Sequence, residues 1–261
     1  MKLTVLNSGS SGNGYVLEGR NSALIIECGV PPKELFKLTS LPISKVSGCL
    51  VSHEHIDHAK YAERYAQLGL RIFASTGTIN ALSEKKERSG RFLPDWKFSR
   101  LIPLAIHRIG EWVIYPFDIV HDAAEPLGFI IEHRECGRIL FLTDTSFCKY
   151  NFQDMNLDHI MIEANYDDGL LNDNIASGVV DASRGERTRK THLSIRQACD
   201  LIKSLQTADL KTIILIHLSQ DNADADYFAR KAAETALFAK IGVAVKGFTI
   251  ELNKNENFAV L

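Results

Sequence analysis

The chain has 261 residues, of which 45% are apolar, 24% charged and 8% aromatic, and its formal charge is −2. That is an ordinary globular composition, sized for one large α/β domain or two small ones. A near-neutral charge excludes a general pull toward nucleic acid or anionic membrane, so any polyanion must be held locally.

No apolar stretch approaches transmembrane length, and the opening run Met1–Leu6 stops at Asn7, too short for a signal segment. The five cysteines are odd in number, scattered, and without a Cys-x-x-Cys pair. This predicts free thiols, a cytoplasmic setting and no membrane association.

In chain order, residues 3–6, Tyr15–Glu18 and Ala23–Cys28 read as an opening β-meander. The first two runs are separated by Ser8-Gly-Ser-Ser-Gly-Asn-Gly14, whose backbone N–H groups can face an anion. It lacks the Lys-Ser/Thr ending of a P-loop, and both a flexible turn and a phosphate-facing lip remain open, with Ser10, Ser11 and Asn13 as candidate substrate contacts. Pro31–Leu38 predicts a helix, Val46–Ser52 a strand, 59–68 a helix, Arg71–Ala74 a strand and Thr78–Arg88 a charged, exposed helix. Several β-like runs follow between Leu101 and Ile131, including Trp112–Val120 and Gly128–Ile131, and then Ile139–Leu142 and His159–Ile162.

Residues 167–191 are polar and without periodicity, and read as a long excursion. Ile195–Leu205 predicts a helix, Thr212–Ile216 a strand, Asp226–Lys240 a helix and Val243–Leu252 a last strand. With no internal repeat and no linker, the reading is one domain over 1–261. Strands in both halves, interleaved with helices, predict an α/β sandwich of mixed sheets.

One stretch stands apart from this pattern. Ser52-His-Glu-His-Ile-Asp-His58 places three of the nine histidines and an acid within a few positions, between a strand and a helix. Imidazole nitrogen and carboxylate oxygen are ligands for Zn²⁺, Mn²⁺ and Fe ions. Positions 53, 55 and 57 point one way while His58 turns back, which suits two ions better than one. Three further candidates each end an apolar strand-like run: His121 after Ile114–Val120, Asp144 after Arg138–Thr143, and His217 after Thr212–Ile216. Strand carboxyl ends are where α/β folds place functional side chains.

The complete His-x-His-x-Asp-His pattern resembles the signature of the metallo-β-lactamase superfamily. That resemblance implies a four-layer αββα sandwich of two mixed β-sheets flanked by helices. It also implies that His53, His55 and His121 hold one metal ion, that Asp57, His58 and His217 hold a second, and that Asp144 bridges them around a water. The chain departs from the family at Glu27, in Leu24-Ile-Ile-Glu-Cys-Gly29, where the family usually has an Asp that orients the metal loop.

Two residues narrow the chemistry. His192, in Thr191-His-Leu-Ser194, lies directly ahead of a helix that Ser194 and Gln197 can cap as a box, surroundings that favour an anion. Glu163 closes the apolar run before Ala164-Asn-Tyr-Asp167. This pair resembles the Glu and His of tRNase Z-type nucleases, in which the His protonates the leaving oxygen.

Over nearly its full length the chain resembles the YycJ/WalJ-like branch of metallo-β-lactamase-fold exonucleases. The residues that carry this are Ser8–Asn13, Ser52–His58, His121-Asp-Ala123, Thr143-Asp-Thr145, Glu163–Asp167, Thr191–Ser194 and His217-Leu-Ser219. The resemblance implies a phosphodiesterase using two divalent ions (Zn or Mn, with Fe possible), a hydroxide between them and a His general acid. The catalytic set is then His192, Glu163, Asp57 and Asp144, and the substrate a nucleic acid, DNA favoured over RNA. Arg184, Arg187, Arg189, Lys190 and Arg196 cluster beside His192 in sequence, and Arg187 and Arg189 are the candidate phosphate contacts. The alternative is a thioester or lactone hydrolase of glyoxalase II type on the same metal site, which needs no acid at position 192.

Overall fold

A computed structural model of the protein describes residues 1–87 and 97–254. The predicted meander is present as β1 (Lys2–Asn7), β2 (Gly14–Glu18) and β3 (Ala23–Ile26), paired antiparallel in succession. After α1 (Pro32–Leu38), β4 (Val46–Leu50) joins β3 in parallel. Two short helices, α2 (Ile56–Ala59) and α3 (Ala62–Gln67), replace the single helix expected over 59–68. Next come β5 (Ile72–Ala74) and α4 (Thr76–Glu87), whose expected last residue, Arg88, lies outside the described residues. The three-residue strand β6 (Phe98–Arg100) was not expected.

The second half opens with an antiparallel series, β7 (His107–Ile109), β8 (Trp112–Asp118), β9 (Leu127–His133) and β10 (Gly137–Leu142). Three parallel strands extend it, β11 (His159–Glu163), β12 (Thr212–Ile216) and β13 (Lys240–Val243). Helices α5 (Asp168–Ala176), α6 (Ala182–Thr191) and α7 (Ile195–Ser204) lie between β11 and β12, and α8 (Ala225–Thr235) between β12 and β13. A last strand, β14 (Thr249–Glu251), returns to pair with β1. The two sheets run β14-β1-β2-β3-β4-β5-β6 and β13-β12-β11-β10-β9-β8-β7.

The period of two along each strand explains the four layers. On β3, Leu24 and Ile26 face the core between the sheets while Ala23 and Ile25 face the outer helices. On β10, Ile139 and Phe141 point inward and Leu140 and Leu142 outward; on β12 Ile214 and Ile216 point inward and Ile213 and Leu215 outward. Buried on both faces, these strands read as continuous apolar runs, and each large side chain so covered contributes roughly 1.5–3 kcal/mol. The outer layers are α1, α3 and α4 on the first sheet, through Leu35, Tyr65 and Leu82, and α7 and α8 on the second, through Ile202 and Phe228.

The structure corrects three further expectations. Residues 167–191 are not an excursion but the helices α5 and α6, started by the Asp167 and Asp181 side chains accepting from Gly169, Leu170 and Ser183 N–H. Their apolar anchor is only Tyr166, Leu171, Ile175 and Val180, too sparse to register as periodicity. The expected strand over 243–252 is two strands in different sheets, because the chain reverses at Gly247, φ +83°. The helix expected to run to Lys240 ends at Thr235, since Lys240 already belongs to β13.

Candidate metal centre and cleft

Five strands of the sandwich deliver side chains to one end. β4 runs into the Ser52–His58 loop, β8 leads to His121 and β10 to Asp144; β11 ends on Glu163, and β12 leads to His217. The parallel register pairs Leu142 with Ile162 and Glu163 with Ile216, so the residues beyond these ends emerge side by side. The turn from strand to site uses the left-handed region at Glu27, Asp144 and His217, with φ of 66°, 46° and 55°. Such backbone in non-glycine residues stores on the order of 1–3 kcal/mol each and must be held by its surroundings.

The ligand atoms fall into two groups that share Asp144. His53, His55, His121 and Asp144 form one; Asp57, His58, Asp144 and His217 form the other; within each, the donor atoms lie within 4.8 Å of one another. Asp144 Oδ2 is 3.6 Å from His53 Nε2, 3.2 Å from His58 Nε2 and 3.6 Å from His121 Nε2, and its Oδ1 is 3.1 Å from His217 Nδ1. His217 Nε2 and His58 Nε2 each lie 3.2 Å from Asp57 Oδ2.

Several imidazoles are oriented from behind. His53 Nδ1 lies 2.9 Å from Ser52 Oγ, and His121 Nδ1 donates to the Thr191 carbonyl at 3.1 Å, which leaves its Nε2, 3.2 Å from His55 Nδ1, as an acceptor at the centre. Glu27, the departure from the family pattern, still reaches the loop: its Oε1 lies 3.5 Å from His58 Nδ1 and its Oε2 accepts from Ser52 N–H.

This donor set fits divalent cations. The buried His53 Nε2 has no hydrogen-bond partner, and it faces the Asp144 carboxylate among other imidazoles. Burial pushes the Asp144 and Asp57 carboxyls up, but the neighbouring His217 and His58 outweigh it and hold both well below the carboxylate range. Burial lowers His58 and His217 in turn, yet the carboxylates, Asp144 foremost, hold both above their ordinary value, His217 to about 10. The carboxylates thus create a demand for positive charge that a bound divalent cation would meet.

Beside this centre, Glu163 Oε1 accepts from His192 Nδ1 at 2.7 Å and from His217 Nδ1 at 2.9 Å, and its Oε2 accepts from Thr145 and Leu193 N–H. Burial lowers the His192 pKa, but the Glu163 carboxylate outweighs it and the net shift is upward. His192 stands where α6 ends and the expected capping box of Ser194 and Gln197 begins α7.

A cleft of about 240 Å³ opens over these groups, with Arg184, Arg187 and Thr188 of α6 in its wall. The candidate substrate contacts are dispersed. Ser10 and Arg187 line the cleft, whereas Ser11 accepts from Asn7 and Arg189 is bound to Asn172, both away from its wall. Asn13 is buried: its Oδ1 accepts from Gly9 N–H at 2.8 Å, and its Nδ2 lies 3.2 Å from His58 Nε2.

The Ser8–Gly14 loop is an ordered turn with Ser10 in the cleft wall. It is packed against the metal loop, where Asn13 N–H donates to the Asp57 carbonyl at 2.7 Å, and against the turn after β3, where a Cβ on Gly12 would meet the Gly29 carbonyl at 2.6 Å. Ser8 Oγ accepts from His217 N–H at 2.8 Å and bonds Tyr15 Oη at 2.7 Å, a link that sequence reasoning missed. Missed too were Asp122, whose Oδ1 lies 3.3 Å from His121 Nε2, and Asn165, which donates to the His217 carbonyl at 3.0 Å. Both sit inside motifs quoted from the sequence, next to or two residues from a candidate ligand or acid.

A two-sheet αββα sandwich with a His/Asp centre at its strand ends defines a metal-dependent hydrolase of the metallo-β-lactamase fold. The chain belongs to that superfamily: the model of the beta-lactamase superfamily domain matches residues 31–218. Among curated relatives, exodeoxyribonuclease YycJ of Bacillus anthracis is 29% identical over 231 residues, 85% of this chain and 84% of the relative. Exodeoxyribonuclease WalJ of Streptococcus pneumoniae is 26% identical over 256 residues, 94% of this chain and 91% of the relative. The crystal structure of the metallo-β-lactamase fold protein YhfI from Bacillus subtilis superposes with a TM-score of 0.69 at 20% identity, covering 95% of this chain and 98% of that one.

Proposed function

We propose that the protein hydrolyses phosphodiester bonds in nucleic acid, DNA in preference to RNA, and acts as an exonuclease. The observation that carries this reading is the His192–Glu163 pair, 2.7 Å apart, beside the centre and in a cleft walled by Arg184 and Arg187. The exodeoxyribonuclease names of the two curated relatives support the same substrate class.

Two divalent ions, Zn or Mn with Fe also compatible with the donor set, would be held by His53, His55 and His121 on one side and by Asp57, His58 and His217 on the other, with Asp144 shared. When bound they supply Lewis acidity at the phosphate and lower the pKa of the attacking water.

The rest falls to the chain. Asp57 holds the His58 and His217 Nε2 atoms together at its Oδ2, and Asp144 spans both halves of the centre. Glu163 fixes the His192 tautomer by accepting from Nδ1, so Nε2 presents the proton to the cleft, and its negative charge keeps that proton on near neutrality. His192 Nε2 then protonates the departing oxygen. A thioester hydrolase would have no use for a proton donor here, since a thiolate leaves unaided.

The discriminating experiment is His192→Ala, assayed on bis-p-nitrophenyl phosphate, on S-lactoylglutathione and on end-labelled single- and double-stranded DNA and RNA with Mn²⁺ or Zn²⁺. General-acid catalysis contributes about 10²–10⁴-fold, and a loss of that order on nucleic acid is expected. Full DNA and RNA hydrolysis by the variant would remove the proposed acid. Hydrolysis of S-lactoylglutathione alone by the wild type would replace the phosphodiesterase reading.

A further inference from the structure

Four of the five cations in the basic run beside His192 face carboxylates, and the fifth, Arg189, bonds Asn172. Arg184 lies 3.8 Å from Asp221, Arg187 2.8 Å from Asp122, Lys190 2.6 Å from Glu186, and Arg196 3.8 Å from both Asp168 and Asp200. A phosphate reaching these four cations competes with a carboxylate already beside each.

The helical layer on the first sheet is different. Lys33 on α1, Lys60 just past α2 and Arg64 on α3 are exposed, and none forms an ion pair among the described residues. Glu34, the acid nearest Lys33 in sequence, is taken by Lys246 at 2.7 Å. The free cations gather at one aromatic ring. Lys60 Nζ and Arg64 Cζ lie 5.5 and 5.4 Å from the Tyr61 ring centroid, and Lys33, Arg64 and Tyr61 line a groove with Pro31, Pro32 and Leu68.

This patch continues the metal loop directly. Ile56, between His55 and Asp57, is 69% exposed. Lys60 follows one turn later on the same face, its N–H bonded to the Ile56 carbonyl, and Tyr61 N–H is fixed by the Cys28 carbonyl. From the cleft lip outward, the surface thus presents an apolar side chain, an unpaired ammonium and a ring flanked by two more unpaired cations. Unpaired cations interleaved with a ring are what a single strand requires, phosphates on the charges and a base or sugar against the ring.

We infer that this surface carries the single-stranded nucleic acid adjoining the scissile phosphodiester, with phosphates at Lys33, Lys60 and Arg64 and a base or sugar against Tyr61 and Ile56. The inference rests on the phosphodiesterase reading for its substrate, but its test reads binding as well as hydrolysis. The metal-loaded protein is titrated into a fluorescein-labelled phosphorothioate oligodeoxynucleotide, and anisotropy is followed over a salt series. Lys33→Glu/Lys60→Glu/Arg64→Glu should weaken binding at least roughly tenfold. It should also flatten the slope of log affinity against log salt by about 2, three contacts at about 0.7 each. Tyr61→Leu, which keeps every charge, should weaken binding about fivefold or more.

Hydrolysis of bis-p-nitrophenyl phosphate should be unchanged in both variants, which also shows that they fold. Wild-type affinity and salt slope in the triple variant would overturn the inference. So would poly-glutamate binding as tightly as the oligonucleotide with no effect of Tyr61→Leu, which would reassign the surface to an acidic protein. If the wild type hydrolyses no phosphodiester while the triple variant loses oligonucleotide binding, the surface stands and the catalytic reading fails.

Discussion

Glu163 is the residue on which the two halves of the proposed chemistry meet. One oxygen accepts from both His192 and His217, so a single carboxylate orients the proton donor and a candidate ligand of the second ion. Glu163→Gln keeps the shape and removes the charge. Burial then lowers His192 unopposed by its main partner, so the alkaline limb of the rate profile, where the acid loses its proton, should move to lower pH. The same change should weaken one of two bound ions by about 10–100-fold, read by titration calorimetry on chelator-stripped protein. Loss of rate with both the pH profile and the ion affinities unchanged would refute this double role. None of this sharing was legible beforehand. Glu163 could be found as the end of an apolar run, but its distance to His217 arises from the β11–β12 register, which no local pattern encodes.

At the scale of elements, legibility follows burial. The strands β3, β10 and β12 could be read because covering on both faces makes each an unbroken apolar run, and the candidate ligands Asp144 and His217 stood out because they follow two of them. The α5–α6 pair escaped because its anchor is four side chains, remote from the main cores. That has a consequence for dynamics. The pair's two helices meet at Gly185, where a Cβ would meet Ile175 Cδ1 at 2.4 Å. The pair is tied to the rest by this small cluster, by Asn174 donating to Asp221 and Asn222, by the Thr191 carbonyl accepting from His121, and by exposed ion pairs worth little each. Hydrogen exchange over residues 168–191 should therefore be faster than over α7, whose capping box and Ile195, Ala198 and Ile202 tie it to the second sheet. Leu171→Ala, which in a main core would remove about 2–5 kcal/mol, should raise exchange across 168–191 while leaving the global melting midpoint nearly in place. A large fall in that midpoint would mean that the pair is part of the global folding unit. The split of the last expected strand into β13 and β14 has a different origin: apolar residues continue through the reversal, and only Gly247 marks it.

For the molecule as a whole, acid should be destabilising for a reason apart from the metal centre. His159 opens β11 in the middle of the second sheet, fully buried, with both ring nitrogens unpartnered, and burial pushes it down to about 4. Its folded pKa lies below the unfolded value of about 6.5, so below that pH the unfolded chain takes up a proton that the native state refuses. Stability falls as pH drops from about 6.5 toward 4, by about 2–3 kcal/mol at pH ~4.5 from this group alone. His159→Leu should remove that increment. Urea unfolding of metal-stripped wild type and variant at neutral and acid pH gives the difference directly, and parallel losses in the two would refute it.

The pairing of β1 with β14 has one more consequence, for how the molecule is made. A ribosome releases Lys2–Asn7 long before Thr249–Glu251, and the histidines of the 53–58 loop long before His217. The nascent chain therefore holds an edge without its neighbour, and six of the seven candidate donors without His217, until most of it has emerged. The group of His53, His55, His121 and Asp144 is thus complete in the growing chain well before the group that needs His217.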